Sequence, residues 1–229
     1  MQNNLDQLIE RITSHPLFIR LKDVVEHAEG WHDHEPVFDH LVKTANIAKE
    51  QANGGFIMDS EAKKLFEKWM NEEIGGMKRK DLAILIALLH DCGKILSYRE
   101  DNKVSTLITS KPILEGQTLC PGHEYWGGEI VAPEILKELG IGENIIDFIL
   151  QVIKFHDALG YVYLTGKENW PIEALVNDIK SRAEGLYKES MFNMYCDGYT
   201  AKAFEAGKKR LEEVFNTPSL YIPRTYFIP

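Results

Sequence analysis

The chain has 229 residues with 44% hydrophobic content, enough to bury one sizeable core, and a formal net charge of -9. That charge argues against an extended nucleic-acid surface, because neutralising phosphates takes clustered Lys and Arg. No stretch approaches the roughly 18 uninterrupted apolar residues of a membrane helix, and MQNNLDQLIERITSHP lacks a basic lead followed by an apolar run. Cys92, Cys120 and Cys196 form no C-x-x-C pair and leave one unmatched in any disulfide scheme. The expectation is a cytoplasmic protein with no membrane partner and reduced, buried cysteines.

Apolar residues recur at helical spacing and strand-like alternation is scarce, so the fold class is all-α. The spacing predicts helices over 4–12, 15–27, 35–52, 60–73, 79–92, 123–139, 143–157, 171–196 and 199–216. Asp59 and Ser60 suit the start of the fourth, Pro171 a first turn, and Gly140 a left-handed C-terminal position. Pro133 should kink or split its helix. The run Met77 to Lys80 reads as a solvated helix end. Residues 97–122 hold Pro112, Gly116, Pro121 and Gly122 without a helical period, and are expected to form a lid or a short hairpin. The tail after Asn216, with Pro218, Pro223 and Pro229, should run extended and pack through Tyr221, Tyr226 and Phe227. The whole, 1–229, is taken as one domain with its core over about 31–200 and a C-terminal helix and tail over 199–229.

The segment LAILIALLHDCGK, Leu82 to Lys94, carries the strongest chemical signal. An apolar run long enough for a buried helix ends in His90, Asp91, Gly93 and Lys94. Burying an ionised Asp costs several kcal/mol unless it is paired or bound to metal. A carboxylate is also disfavoured at a helix C-terminus, so Asp91 needs a cation. Other ionisable residues lie on or beside apolar helical faces: His40, His123, His156, Asp157 and Asp197. Each alone reads as an ordinary core residue or cap. Together they offer the imidazole nitrogens and carboxylate oxygens that suit Mn, Fe, Zn, Ni or Co, with Mg as a further option. Helix bundles place such ligands on facing helices.

His40, then His90-Asp91, then Asp197 resembles the H…HD…D signature of the HD-domain phosphohydrolases, and LLHDCGK is similar to that family's LLHDIGK. GHEYWGGEI resembles its H-E-x-x-G-A segment, and IKFHD stands where two-metal members carry another histidine. The likeness spans about residues 31–200, and WHDHEPVFDHLVKTANIA looks most similar to HD domains attached to bacterial tRNA nucleotidyltransferases. The resemblance implies a helical HD bundle with a metal site in its core. His40, His90, Asp91 and Asp197 would bind one metal, with Asp91 bridging to a second completed by His123 and His156. Asp157 stands where some relatives have a second His.

On that resemblance Asp91 and Lys94 are the catalytic candidates, with the Lys94 ammonium meeting a phosphate oxygen. His32, His34, Glu124 and Asp157 are candidate substrate contacts, although both histidines read more simply as polar loop residues. Glu124 and Glu129 could orient a water or a ligand histidine, but read more simply as exposed helix glutamates. His15 and His27 read as surface or capping residues. Gly127 and Gly128 cost helix stability and fit a close approach of two backbones. The expected activity is hydrolysis of a phosphomonoester or phosphodiester of a nucleotide or similar small phosphorylated metabolite, by a metal-activated water at one or two divalent transition ions. The same ligand set also resembles HD-fold di-iron oxygenases such as inositol oxygenase. A non-catalytic effector-binding module is the third possibility. Oligomeric state stays open.

Overall fold

The computed structural model describes residues 5–25, 34–100, 118–156, 167, 169–182 and 185–222. The architecture is a helical bundle. Among the described residues, strands occur only as two antiparallel pairs of two residues each, with one isolated bridge between Val25 and Pro36. No helix among them is long and apolar enough to cross a membrane.

The central element is α5, Arg79–Leu89, in which every residue from Leu82 to Leu89 is buried. A helix that is apolar all round must be enclosed by its neighbours. Those neighbours are α3 (Val37–Gln51), α9 (Glu143–Ile153) and a later helix, Tyr187–Asp197. On α3 the buried set is Val37, His40, Leu41, Thr44, Ala45 and Ala48, a single stripe at helical spacing with His40 inside it. On α9 the stripe is Ile145, Ile146, Ile149, Val152 and Ile153, and buried His156 continues its spacing beyond the helix end.

The remaining helices lie around these. They are α1 (Leu5–Thr13), α2 (Pro16–Ile19), α4 (Ser60–Met70), α6 (Lys94–Ser97), α7 (His123–Trp126), α8 (Ala132–Glu138), α10 (Ile172–Arg182), α11 (Tyr187–Asp197) and α12 (Glu205–Phe215). The expected caps appear where the residues indicated. The Asp59 side chain accepts from the Glu61 and Ala62 amides at the start of α4, and Gly140 has φ +74. His15 caps α2, its Nδ1 accepting from the Leu17 amide, but it is buried rather than on the surface.

Four expected helices are broken or much shortened. The 15–27 segment is helical only as far as Ile19, then turns through a 3-10 stretch, Arg20–Asp23. The 171–196 segment divides into α10 and α11, with Gly185 between them at φ +99. The 199–216 segment becomes α-helical only at Glu205. The 123–139 helix is interrupted by a π-helical turn, Gly127–Val131. Pro133 has no N–H to give the helix ladder, and the Ala132 amide reaches back five residues to Gly127 O.

Two features at the N-terminus of α5 carried no signal of their own. Strands β1 (Glu73–Ile74) and β2 (Met77–Lys78) form a hairpin, closed by Gly75 and Gly76 at φ +60 and +85, the left-handed pair that a tight hairpin turn demands. Arg79, read from sequence as part of a solvated run, is instead largely buried. It pairs with buried Glu189 on α11 and with Glu72, donates to Trp69 O, and lies over the Trp69 and Phe148 rings. Burial pushes the Glu189 carboxyl up and Arg79 opposes it. The ends of the 97–122 segment pair as β3 (Arg99–Glu100) and β4 (Thr118–Leu119), while 101–117 lies outside the described residues, as do Tyr226 and Phe227. The tail after Asn216, expected to run extended, instead begins with a 3-10 turn, Pro218–Tyr221, in which Pro218 occupies a first-turn position where no amide N–H is required, and half-buried Tyr221 donates to Phe215 O.

Removing one partner of a buried ion pair leaves an uncompensated charge, whereas replacing both with apolar groups of similar size costs much less. Arg79→Ala should therefore lower stability by about 3–5 kcal/mol in denaturant unfolding. The double substitution Arg79→Met with Glu189→Met should recover most of that loss. A negligible effect of Arg79→Ala would show that the pair does not fasten α11 to α5.

Candidate metal centre

Six of the sequence-selected residues meet at one end of α5. His90 is the C-cap of that helix, and Asp91 follows in the turn leading to α6. His40 comes from the first turn of α3, Asp197 from the last residue of α11, His123 from the start of α7, and His156 from just beyond α9. Five separate stretches of chain therefore contribute.

Asp91 lies at the centre, with 4% of its side chain exposed. Its two oxygens face different histidines. Oδ2 is 3.4 Å from His90 Nε2 and 4.0 Å from His40 Nε2, and Oδ1 is 3.0 Å from His123 Nε2 and 3.4 Å from His156 Nε2. Asp197 Oδ1 closes the first side, 2.8 Å from His40 Nε2 and 3.3 Å from His90 Nε2. The cation that Asp91 requires is supplied in part by Lys94, whose ammonium is 2.7 Å from Oδ2 and whose side chain is 4% exposed.

The tautomers of three histidines follow from their outer nitrogens. His90 Nδ1 donates to Ala87 O at 2.9 Å, His123 Nδ1 to Cys120 O at 2.9 Å, and His156 Nδ1 to Ile153 O at 2.6 Å. A carbonyl can only accept, so each Nδ1 carries the proton and each Nε2 is the nitrogen able to coordinate. The consequence is an accumulation of lone pairs. His123 Nε2 and His156 Nε2 stand 3.3 Å apart, both beside Asp91 Oδ1. Among the described residues, His90 Nε2, Asp91 Oδ1 and Asp197 Oδ1 are buried and complete no hydrogen bond.

These residues fit a metal. Donors about 2.1 Å from one ion stand about 3.0–3.4 Å from each other in octahedral or tetrahedral coordination, close to most of the separations found here. Two sets of three, His40 with His90 and Asp197, and His90 with Asp91 and His156, have donor atoms all within 4.8 Å of one another. Without a metal, protons supply the compensating charge. Burial opposes protonation of His40, but Asp197 and Glu35 raise its pKa to about 9. Burial likewise opposes charge on His90, while Asp91 and Asp197 push its pKa up. Burial would raise both carboxyls. Lys94, His90 and His123 hold Asp91 well below the usual range, and His90 with His40 does the same for Asp197.

Gly93 explains how His123 reaches Asp91. Its φ of -67 is ordinary, so the requirement is space. A Cβ there would lie 2.0 Å from His123 O and 2.3 Å from Gly127 N, both backbone atoms. The close passage expected at Gly127 and Gly128 is real: Gly127 faces Gly93, and Gly128 lies under the Lys154 side chain.

Residues 37–191 match the HD domain family. The chain belongs to the HD domain family. No curated protein matches it, so no relative stands behind the finer likeness to the HD domains of tRNA nucleotidyltransferases. Asp197 lies beyond the matched stretch, and its membership of the HD centre rests on its contacts with His40 and His90.

The other candidates are placed less centrally in this HD domain. Glu124 Oε2 is 3.8 Å from His123 Nδ1, too far for a hydrogen bond, and that nitrogen is directed to Cys120 O. Glu129 is 43% exposed and pairs with Lys154. His34 is exposed, and His27, His32 and Asp157 lie outside the described residues. Glu35, which sequence reading passed over, is 3.7 Å from His40 Nδ1. Its only signal in the sequence was a carboxylate five positions ahead of His40.

Gly93→Ala should displace the His123 segment while leaving His40, His90 and Asp197 in place. Metal analysis of the reconstituted protein should show a lower metal-to-protein ratio than wild type; an unchanged ratio would contradict the steric assignment. Because metal must displace the proton held on His40 to about pH 9, Mn affinity should rise from neutral pH toward that value. A flat calorimetric pH profile would contradict proton competition.

Proposed function

We propose that the chain is a metal-dependent phosphohydrolase that cleaves a phosphomonoester or phosphodiester of a nucleotide or related small phosphorylated metabolite. The observation that carries this is Asp91, a buried carboxylate whose two oxygens face two separate groups of histidines. His40, His90, Asp197 and Asp91 Oδ2 would hold one divalent ion, and Asp91 Oδ1 with His123 and His156 a second. Two such ions lower the pKa of a bound water and neutralise charge on a phosphoryl group.

The residues themselves supply orientation and exclusion of solvent. Backbone carbonyls keep the Nε2 atoms of His90, His123 and His156 turned inward. The apolar body of α5 walls off the inner side of the site. Asp197 has 30% of its side chain exposed, the most open of the six, so a substrate approaching along it meets the cluster beside Asp91. A phosphoryl oxygen next to Asp91 would encounter the Lys94 ammonium, a compact charge suited to it. Neutralisation by metal and Lys94 reconciles a net charge of -9 with an anionic substrate.

Protein reconstituted with Mn, Ni, Zn or Fe should hydrolyse members of a panel of phosphomonoesters, cyclic phosphates and nucleotides. Asp91→Ala should reduce turnover to background and release metal, whereas Asp157→Asn should do much less. Oxygen uptake with iron and no phosphate release would overturn the hydrolase reading in favour of an oxygenase. Metal-loaded protein that turns over nothing would favour a binding module.

A further inference from the structure

Glu35 immediately precedes Pro36, the N-cap of α3. Its Oε1 lies 3.7 Å from His40 Nδ1 and 3.5 Å from Lys43 Nζ, with 24% of the side chain exposed. The arrangement differs from that of the other three histidines, whose outer nitrogens donate to neutral carbonyls three residues back in their own segments. His40 presents its outer nitrogen to a carboxylate.

The distinction has chemical content. A carbonyl fixes the tautomer of a ligand histidine, while a carboxylate also adds negative charge that makes the inner nitrogen a stronger donor. The reinforcement falls on an open side of the cluster, since His40 adjoins Asp197, the most exposed of the six. At 3.7 Å the contact is longer than a full hydrogen bond and, with Nε2 on a metal and the ring neutral, acts as a carboxylate charge facing the Nδ1–H dipole, so its effect belongs at the lower end of the range seen for such partners. A purely structural role is the competing explanation, because an acid ahead of a helix N-terminus favours the helix whichever way it points. That role would be visible in the stability of the metal-free protein.

We propose that Glu35 is a positioning residue for the metal centre on which the phosphohydrolase reading rests. It orients His40 through Nδ1 and strengthens Nε2 as a ligand for a divalent transition metal. Lys43 contacts the same carboxylate oxygen and competes with His40 for it.

The test is calorimetric titration of metal-free protein with Mn²⁺, alongside its melting temperature, for wild type, Glu35→Ala, Glu35→Gln and Lys43→Met. Titrated near pH 9, where the proton on His40 no longer masks the loss, Glu35→Ala should weaken Mn²⁺ binding by about tenfold and lower the metal-free melting temperature only slightly, through the lost contacts with His40 and Lys43. Glu35→Gln, which keeps the shape and an acceptor oxygen, should fall between it and wild type. Lys43→Met should bind as well as wild type or better. Wild-type affinity in Glu35→Ala would overturn the proposal. So would a matching drop in its metal-free melting temperature, or an equal loss in Lys43→Met. Wild-type protein that took up no metal would remove the metal centre itself, an outcome separate from failure of the Glu35 variants alone.

Discussion

A carboxylate sealed from water beside a helix C-terminus is the constraint around which this molecule is arranged. Asp91 sits where both burial and the helix dipole disfavour charge, yet its pKa is held well below the usual carboxylate range. Four histidines and a lysine make that possible, and each comes to Asp91 for an identifiable local reason. His40 and His156 continue apolar stripes that must face α5, His90 ends α5 itself, and Lys94 is one turn beyond. His123 arrives because Gly93 leaves room for its backbone.

The same economy governs the opposite end of α5. Glu189 is buried there, and Arg79 compensates it while covering Trp69 and Phe148. One helix thus has a charged anchor at each end and an unbroken apolar body between them. Both anchors reach α11, through Glu189 in its first turn and Asp197 at its last residue. The spacing between them sets where Asp197 stands over the cluster.

Much of this was legible in the sequence, and the reasons for the failures are physical. Long amphipathic stripes such as those of α3 and α9 read clearly because periodicity reports burial directly. The abrupt end of the apolar run at His90 and Asp91 was equally plain, since charge there demands explanation. Helix breaks were less visible. Gly185 interrupts a pattern that otherwise continues from 171 to 196, and isolated glycines are tolerated inside many helices. The hairpin over 73–78 is too short for alternation to show. Arg79 looked solvated because its neighbours Lys78 and Lys80 are also basic, and its acidic partner lies 110 residues away. Glu35 was hidden for a related reason: carboxylates near helix starts are common, and only the fold reveals that this one reaches His40. Gly93 lay inside the recognised motif, but its steric role appears only once the His123 backbone stands against it.

The proposed chemistry depends on whether Asp91 serves two ions or one. The most direct measurement is a crystal structure of zinc-loaded protein with anomalous scattering recorded at the zinc edge. The expected result is two peaks, each about 2.1 Å from a different Asp91 oxygen. One should be shared with His40, His90 and Asp197, and the other with His123 and His156. A single peak, even one that takes Asp91 as a ligand, or zinc bound elsewhere while the six residues remain unliganded, would contradict the bridging role.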